Sequence, residues 1–504
     1  MHRGLAEATI LELQAEMEGG RTSSRQLVGK YIRRIAGIDR AGPRLNSIAE
    51  VNPEALEIAR QLDHERKEKG PRGPLHGIPV ILKESIATKD GMETTAGSLA
   101  LLGSRPRDEA FVVSRLRKAG AVILAKSNLS EWANFRSNNS SSGWSARGGQ
   151  VRNPYVLDRS PCGSSSGSAV ALAANLAVVA LGTETDGSIL CPSSVNGIVG
   201  IKPTLGLVSR AGVVPVAHSQ DTVGPMARTV TDAAILLGAL VGHDKRDPVT
   251  RSSLKKYHRD YTKFLDSDGL RGARIGVPRE VYFGYSDKAD AIAEAAIGRM
   301  RKMGARMVDP ANLPTAKLMS TSENELTVLL HEFKSDLNLY LSELAYAKVR
   351  SLKEVIEFNE RHRSSELKYF GQELLLKAQK TKSLNERKYL NALKEGRRLS
   401  RQRGIDYVMD KYRLDALVAP TTSPAWTIDL VDGDHGLGGS SQPTALAGYP
   451  AITVPAGFAF GLPVGITFMG RAYSEPTLIR LAYAFEQATH WRTPPRFKAT
   501  TARG

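Results

Sequence analysis

From Gly77 onward, short unbroken apolar runs alternate with amphipathic segments, and this texture leaves few architectures open. IPVIL at 78–82 is followed by a helical pattern over 109–119, AVILA at 121–125 and the segment NLSEWANF at 128–135. A continuous apolar run too short for a buried helix reads as a strand covered on both faces, and such strands alternating with helices build an α/β sheet. The same texture recurs in GIVGI at 197–201, RIGVP at 274–278, DALVAP at 415–420, and in runs at 451–455 and 464–469.

Two amphipathic helices are expected ahead of this core. Leu5, Ile10, Leu13 and Met17 recur at helical spacing, and Ser23 or Ser24 is placed to cap a second helix through Leu27, Tyr31 and Ile35. Residues 137–168 are too rich in Ser, Gly and Asn for a strand or a helix interior and read as a long loop. The apolar pattern AVALAANLAVV follows at once, so the core beneath is expected to order that loop. Residues 320–403 read as helices with Leu326, Leu329, Leu330 and Phe333 on one stripe, an insertion placed to cap a site. No internal repeat is visible, and the turns are too short to be linkers. The expectation is one domain over 1–504, with N-terminal helices at 1–75, a core at 76–240, the helical insertion at 320–403 and a C-terminal sheet and helix at 415–490.

At 504 residues, 41% of them apolar and 24% charged, the chain has ample material for a core, which excludes disordered and collagen-like classes. Two cysteines cannot build a disulfide framework, and without CxxC pairs or an HExxH helix no metal site is expected. Both thiols are read as reduced and structural. The opening segment MHRGLAEATILELQAEMEGG breaks its apolar positions with Glu and Gln, unlike a signal peptide, and the apolar stretch 169–181 is interrupted by Asn175 and too short to span a membrane. A soluble, cytoplasmic monomer without a membrane partner is expected.

The formal charge of +17, from 69 Lys and Arg against 52 Asp and Glu, raises the question of nucleic acid. Basic residues are densest between Lys348 and Arg413. There Glu354, Glu357, Glu360, Glu366, Glu373, Glu386 and Glu395 lie among them, often at helical spacing, so solvated helix faces account for the charge and no nucleic-acid partner is expected.

Two Gly/Ser clusters and one lysine stand out as candidates for chemistry. In the first cluster, Pro161 to Ser168, Gly163-x-Ser165-x-Gly167 fits a nucleophile elbow on Ser165, but an elbow needs a buried strand before it and RNPYVLDRSPC is polar and broken by proline. No Gly-Lys-Ser/Thr completes a phosphate loop. The second cluster, Gly182 to Ser188, follows the apolar run LAVVAL and so has the strand-before-turn context. Its glycine permits a tight turn in which the N–H groups of Thr185, Asp186, Gly187 and Ser188 are candidate donors to an oxyanion, with Ser188 as the nucleophile of an acyl transfer.

A serine nucleophile needs a base near pH 7. His76 and His218 have no sequence context that ties them to Ser188. A lysine serves if burial disfavours its charge; lowering its pKa from about 10.4 to about 7.5 requires roughly 4 kcal/mol. Lys83, directly after IPVIL, is expected at a strand end.

Taken together, GIPVILKES around Lys83, PCGSSSGSAVALAANL around Ser164, GTETDGSILCPSSVNGIVGIKPT around Ser188, QDTVGPMARTVTDAA and GYPAITVPAG resemble the amidase-signature hydrolases over nearly the whole chain. The spacing of 24 residues between Ser164 and Ser188 is also the family's. The resemblance implies a large, mixed, twisted sheet covered by helices on both faces. It implies a Ser-Ser-Lys triad in which Ser188 attacks an amide carbon, Ser164 follows a cis peptide bond and relays the proton, and neutral Lys83 is the base. It implies no metal, nucleotide or organic cofactor.

The chain departs from the family's common Gly-Gly-Ser-Ile-Arg form, with Asp186-Gly187-Ser188-Ile189-Leu190 in its place. That variant, with NLSEWANFRS and SSGWSARGGQVRNPY, is similar to bacterial peptide amidases, which remove ammonia from C-terminally amidated peptides. A peptide amide or small-molecule amide is thus the expected substrate, with Arg136 and Trp144 expected beside an open cleft. The alternatives are a general amidase or esterase on small acyl amides and, from a different class, a non-catalytic or transamidating assembly subunit.

Overall fold

In the computed structural model, which describes residues 5–501, eleven strands form one mixed sheet. Residues 1–4, where the expected N-terminal segment begins, and 502–504 lie outside the described residues. From edge to edge the strands run Ile48–Val51, Val122–Ser127, Pro79–Lys83, Val179–Glu184, Thr222–Ala227, Val199–Lys202, Ala451–Ala459, Leu462–Met469, Ala416–Pro420, Arg274–Gly276 and Arg306–Val308. Pro79–Lys83 is parallel to both of its neighbours, the last three strands are parallel to one another, and the middle of the sheet is antiparallel.

The unbroken apolar runs behave as their pattern requires. Every residue of Pro79–Lys83, Val122–Ser127 and Thr222–Ala227 is buried, so helices cover both faces of the sheet there. The helix Ser166–Ala173 is buried all round, and Val230–Leu240 nearly so. At the N-terminus, Thr9 and Glu12 form a capping box at the start of Ile10–Glu18, and Ser23 caps Ser24–Arg34. The Ile10 N–H donates to Asp232 over 3.0 Å and ties the first helix to Val230–Leu240.

The expected helical insertion is present as Ala316–Thr321, Asn324–Glu343, Leu352–Arg361, Glu373–Gln379 and Arg387–Ser400, with the short turn Arg363–Glu366 between. Its apolar stripe closes a second core in which Phe333, Leu337 and Leu341 meet Trp132 and Phe135, with Leu326, Leu329 and Leu330 packed at its edge. Three of its basic residues form exposed pairs one helical turn away, Lys353 with Glu357, Arg363 with Glu360 and Arg398 with Glu395.

One expectation changes. Residues 137–168 are not all loop: Trp144–Ser145 pairs with Gly149–Gln150, and the helix Ser166–Ala173 begins inside the segment. Buried side chains beneath it set this order, since Ser130 Oγ accepts the Gly143 N–H at 2.8 Å and Asn128 Oδ1 accepts the Ser145 hydroxyl at 2.9 Å. The strand Thr222–Ala227, which contains Gly224 and Pro225, is not among the runs singled out in the sequence. At Gly224 a Cβ would lie 2.0 Å from the Ile201 carbonyl oxygen, so close packing against the next strand demands the glycine. Among the described residues no helix is long and apolar enough to cross a membrane.

Candidate active site

Lys83 closes the strand Pro79–Lys83 with its whole side chain buried. Its Nζ lies within hydrogen-bonding distance of Ser164 Oγ at 2.7 Å, Thr183 Oγ1 at 2.8 Å and the Thr183 carbonyl at 3.3 Å. Burial pushes its pKa down to about 7, against the opposing pull of Asp221 and Glu184. The fold therefore brings Lys83 and Ser164, 81 residues apart in the chain, into direct contact.

Ser164 is fully buried and follows a cis Gly163–Ser164 peptide bond. A Cβ on Gly163 would lie 2.1 Å from Ser130 Oγ, so that position has no room for a side chain. The Ser165 N–H donates to the Ser188 carbonyl at 3.1 Å, which joins the two clusters. Ser165 Oγ donates to the Thr183 carbonyl at 3.1 Å and accepts the Thr183 N–H at 3.2 Å, the bonding of a structural tie rather than of an exposed elbow nucleophile.

Ser188 stands in the turn after Val179–Glu184, where Gly187 takes the left-handed φ of 75° that the tight turn needs. The buried Glu184 carboxylate holds the far side of the turn by accepting the N–H groups of Ile189 at 2.7 Å and Leu190 at 2.9 Å. Among the described residues no protein acceptor takes the N–H groups of Thr185, Asp186, Gly187 or Ser188. Thr185 Oγ1 donates to Asp221 at 2.6 Å, and burial pushes Asp221 up to about 6 despite that bond and those from the Val216 and Ala217 N–H groups.

The departures from the family form have local partners. Burial pushes the Asp186 carboxyl up, with Ser441 and Glu325 beside it. Glu325, from the helix Asn324–Glu343, accepts from Gln220 and Gln442 at 2.9 Å each. Leu190 packs into an apolar cluster with Tyr282, Leu417 and Met469. Lys202, also fully buried, donates to the Tyr449 carbonyl at 2.6 Å and is pushed down to about 8 by burial.

A cavity of about 550 Å³ adjoins this centre on the side of Thr183 and Thr185. Its walls come from Ala96, Trp132 and Ala133, from Val213 to Val216, and from Leu339 and Tyr340 of the helical insertion. Trp132, Ala133 and Asn134 all adopt left-handed φ values, 48°, 55° and 67°, a rare run for residues with side chains. His218 lies on the cavity rim with its ring between Asp336 and Glu332, while His76 is buried against the Leu62 carbonyl.

The expected cleft residues and the expected thiols both turn out otherwise. Arg136 and Trp144 do not line the cavity. The Arg136 guanidinium is fully buried, bonded to Glu131 and to the Glu366 carbonyl, and stacked 4.1 Å from the Phe370 ring and 5.2 Å from that of Trp144. Trp144 in turn packs edge-on against Phe370 at 5.0 Å and Tyr369 at 5.5 Å, so the pair clamps the loop to the helical insertion. The cysteines are not reduced thiols either: Cys162 and Cys191 form a disulfide with their Cα atoms 6.1 Å apart. The fold closes a sequence separation of 29 residues to ordinary bridging distance.

Thr183, Glu184 and Asp221 stand inside the sequence motifs without a role that the motifs alone reveal, and nothing in the sequence marks Glu325. The signal for the first three is an acid or hydroxyl next to a wholly apolar strand, where it must bond inward.

An amidase family model matches residues 26–479. A probable amidase of Arabidopsis thaliana is 45% identical over 98% of this chain and 92% of its own length. An amidase family protein from Bacillus anthracis superposes with a TM-score of 0.88 at 37% identity, covering 98% of this chain and 93% of that one. The crystal structure of native peptide amidase from Stenotrophomonas maltophilia superposes with a TM-score of 0.93 at 52% identity, covering 98% of this chain and 99% of that one. The chain belongs to the amidase family.

Proposed function

We propose that this amidase-type hydrolase removes ammonia from the C-terminal amide of peptides by way of an acyl-serine. The contact of 2.7 Å between Lys83 Nζ and Ser164 Oγ, inside a site dry enough to hold the amine near neutrality, carries the reading. Neutral Lys83 takes the Ser164 proton as Ser164 takes that of Ser188, and Ser188 Oγ attacks the amide carbon. The carbonyl oxygen gains negative charge in the tetrahedral intermediate, and the N–H groups from Thr185 to Ser188 are the donors at hand to stabilise it. The proton held on Lys83 returns through Ser164 to the departing nitrogen. Water then enters by the same relay, attacks the acyl carbon and frees Ser188.

The 52% identity to a peptide amidase over nearly the full length supports a peptide rather than a small acyl group as the substrate. Ammonia release from an amidated dipeptide, glutamine, a fatty-acid amide and a simple aliphatic amide tests this. Turnover of the dipeptide amide should exceed the others. A preference for glutamine favours the transamidating reading, equal rates on small amides favour a general amidase, and silence on all four favours a non-catalytic role.

A further inference from the structure

We propose that Cys162 and Cys191 are positioning residues for this reaction: their disulfide ties the loop carrying Ser164 to the turn carrying Ser188, keeps the two hydroxyls in register, and makes turnover sensitive to reduction. The inference rests on the Ser164–Ser188 centre proposed above.

Cys162 lies two residues before Ser164, and Cys191, in the first turn of the helix Leu190–Val195, lies three after Ser188, so the bridge ties the loop of the relay to the helix that follows the nucleophile. Hydrogen bonds cross the same join, among them those from Ser165 N–H to the Ser188 carbonyl at 3.1 Å and from Asn196 Nδ2 to the Pro161 carbonyl at 2.9 Å. Hydrogen bonds of this kind break and re-form when a segment opens locally, whereas a disulfide does not. Cys162 itself sits at a left-handed φ of 53°, a conformation that a residue with a Cβ keeps only when its surroundings impose it. Ser160 Oγ accepts its N–H at 3.1 Å, Ser166 Oγ donates to its carbonyl at 2.6 Å, and the bridge fixes its side chain. Gly163 and Ser164 follow directly.

Lys83 is held differently, by its strand and by Thr183. Opening the bridge should therefore leave the base and its proton affinity in place while loosening the distance between the hydroxyls. Cys162 is nearly buried and Cys191 half-buried, so a small thiol reaches the bridge from the Cys191 side. A dithiol reductant balances the step. The S–S bond breaks, each sulfur gains one electron and one proton, and the reductant gives up two electrons and two protons as it closes its own disulfide.

The test uses the full chain, ammonia release from an amidated dipeptide and an aromatic disulfide reagent that counts free thiols. The untreated chain should titrate no thiol and be active. After dithiothreitol it should titrate two, and kcat should fall by about tenfold or more, with KM changed little and the acid limb of the pH profile unmoved. Reoxidation should restore kcat, and Cys191→Ser should show the lowered kcat and ignore the reductant. If that variant does not fold, reduction and reoxidation of the unmodified chain decide alone. Two free thiols in the untreated, fully active chain would overturn the proposal. So would equal kcat before and after reduction, or a lowered melting temperature with kcat unchanged. An untreated chain that releases no ammonia from any amide instead overturns the reading of the centre, and this inference falls with it.

Discussion

The backbone N–H of Ser165 donates to the carbonyl oxygen of Ser188 across 3.1 Å, while the Ser165 hydroxyl exchanges two bonds with the Thr183 backbone. One residue thus pins the loop that carries Ser164 to both the strand and the turn that present Ser188. Lys83 bonds to that same Thr183, so the base and the loop that carries Ser164 both lean on the strand Val179–Glu184.

Ser165→Ala separates a structural serine from a nucleophile. Removing its hydroxyl leaves a buried carbonyl and N–H with one fewer partner and should cost about 1–3 kcal/mol in a denaturant titration. Labelling by a serine-directed fluorophosphonate should persist in Ser165→Ala and vanish in Ser188→Ala. Labelling that survives in Ser188→Ala and disappears in Ser165→Ala would restore the elbow.

Lys83→Met should lower kcat by about 10⁴-fold or more, as loss of a triad member does. The same change should raise stability, because a buried amine costs the folded state. The sign follows from linkage: with a folded pKa of about 7 against an ordinary 10.5, the unfolded chain holds the extra proton between those values, so wild-type stability rises with pH across that window. The advantage of Lys83→Met over wild type should be largest below pH 7 and shrink toward pH 10, as read by parallel denaturant titrations. An advantage that grows with pH would mean the lysine is charged and paired.

These elements differ in how far the sequence announces them. Lys83 after IPVIL and the glycine one residue before Ser188 are legible because strand ends and tight turns impose their residue types locally. The bridge from Cys162 to Cys191 and the burial of Arg136 between Glu131 and Glu366 are not, since each depends on segments that meet only in the fold. The edge strands Ile48–Val51 and Arg306–Val308 are too short and too exposed to show a period.

Arg136→Met distinguishes a clamp from a substrate contact. Loss of the guanidinium leaves Glu131 and Glu366 facing each other in the interior and should cost about 3–5 kcal/mol of stability at pH 7. KM for an amidated dipeptide, measured below the melting transition, should stay near the wild-type value. A KM raised by about tenfold in a variant of undiminished stability would return Arg136 to the cleft.

The pH dependence of kcat/KM on an amidated dipeptide between pH 5 and 9 tests the proton relay most directly. With Lys83 pushed down to about 7, activity should fall about tenfold per unit on the acid side of that value as the amine takes up a proton. A profile that stays flat from pH 5 through 7 would contradict a neutral lysine as the base.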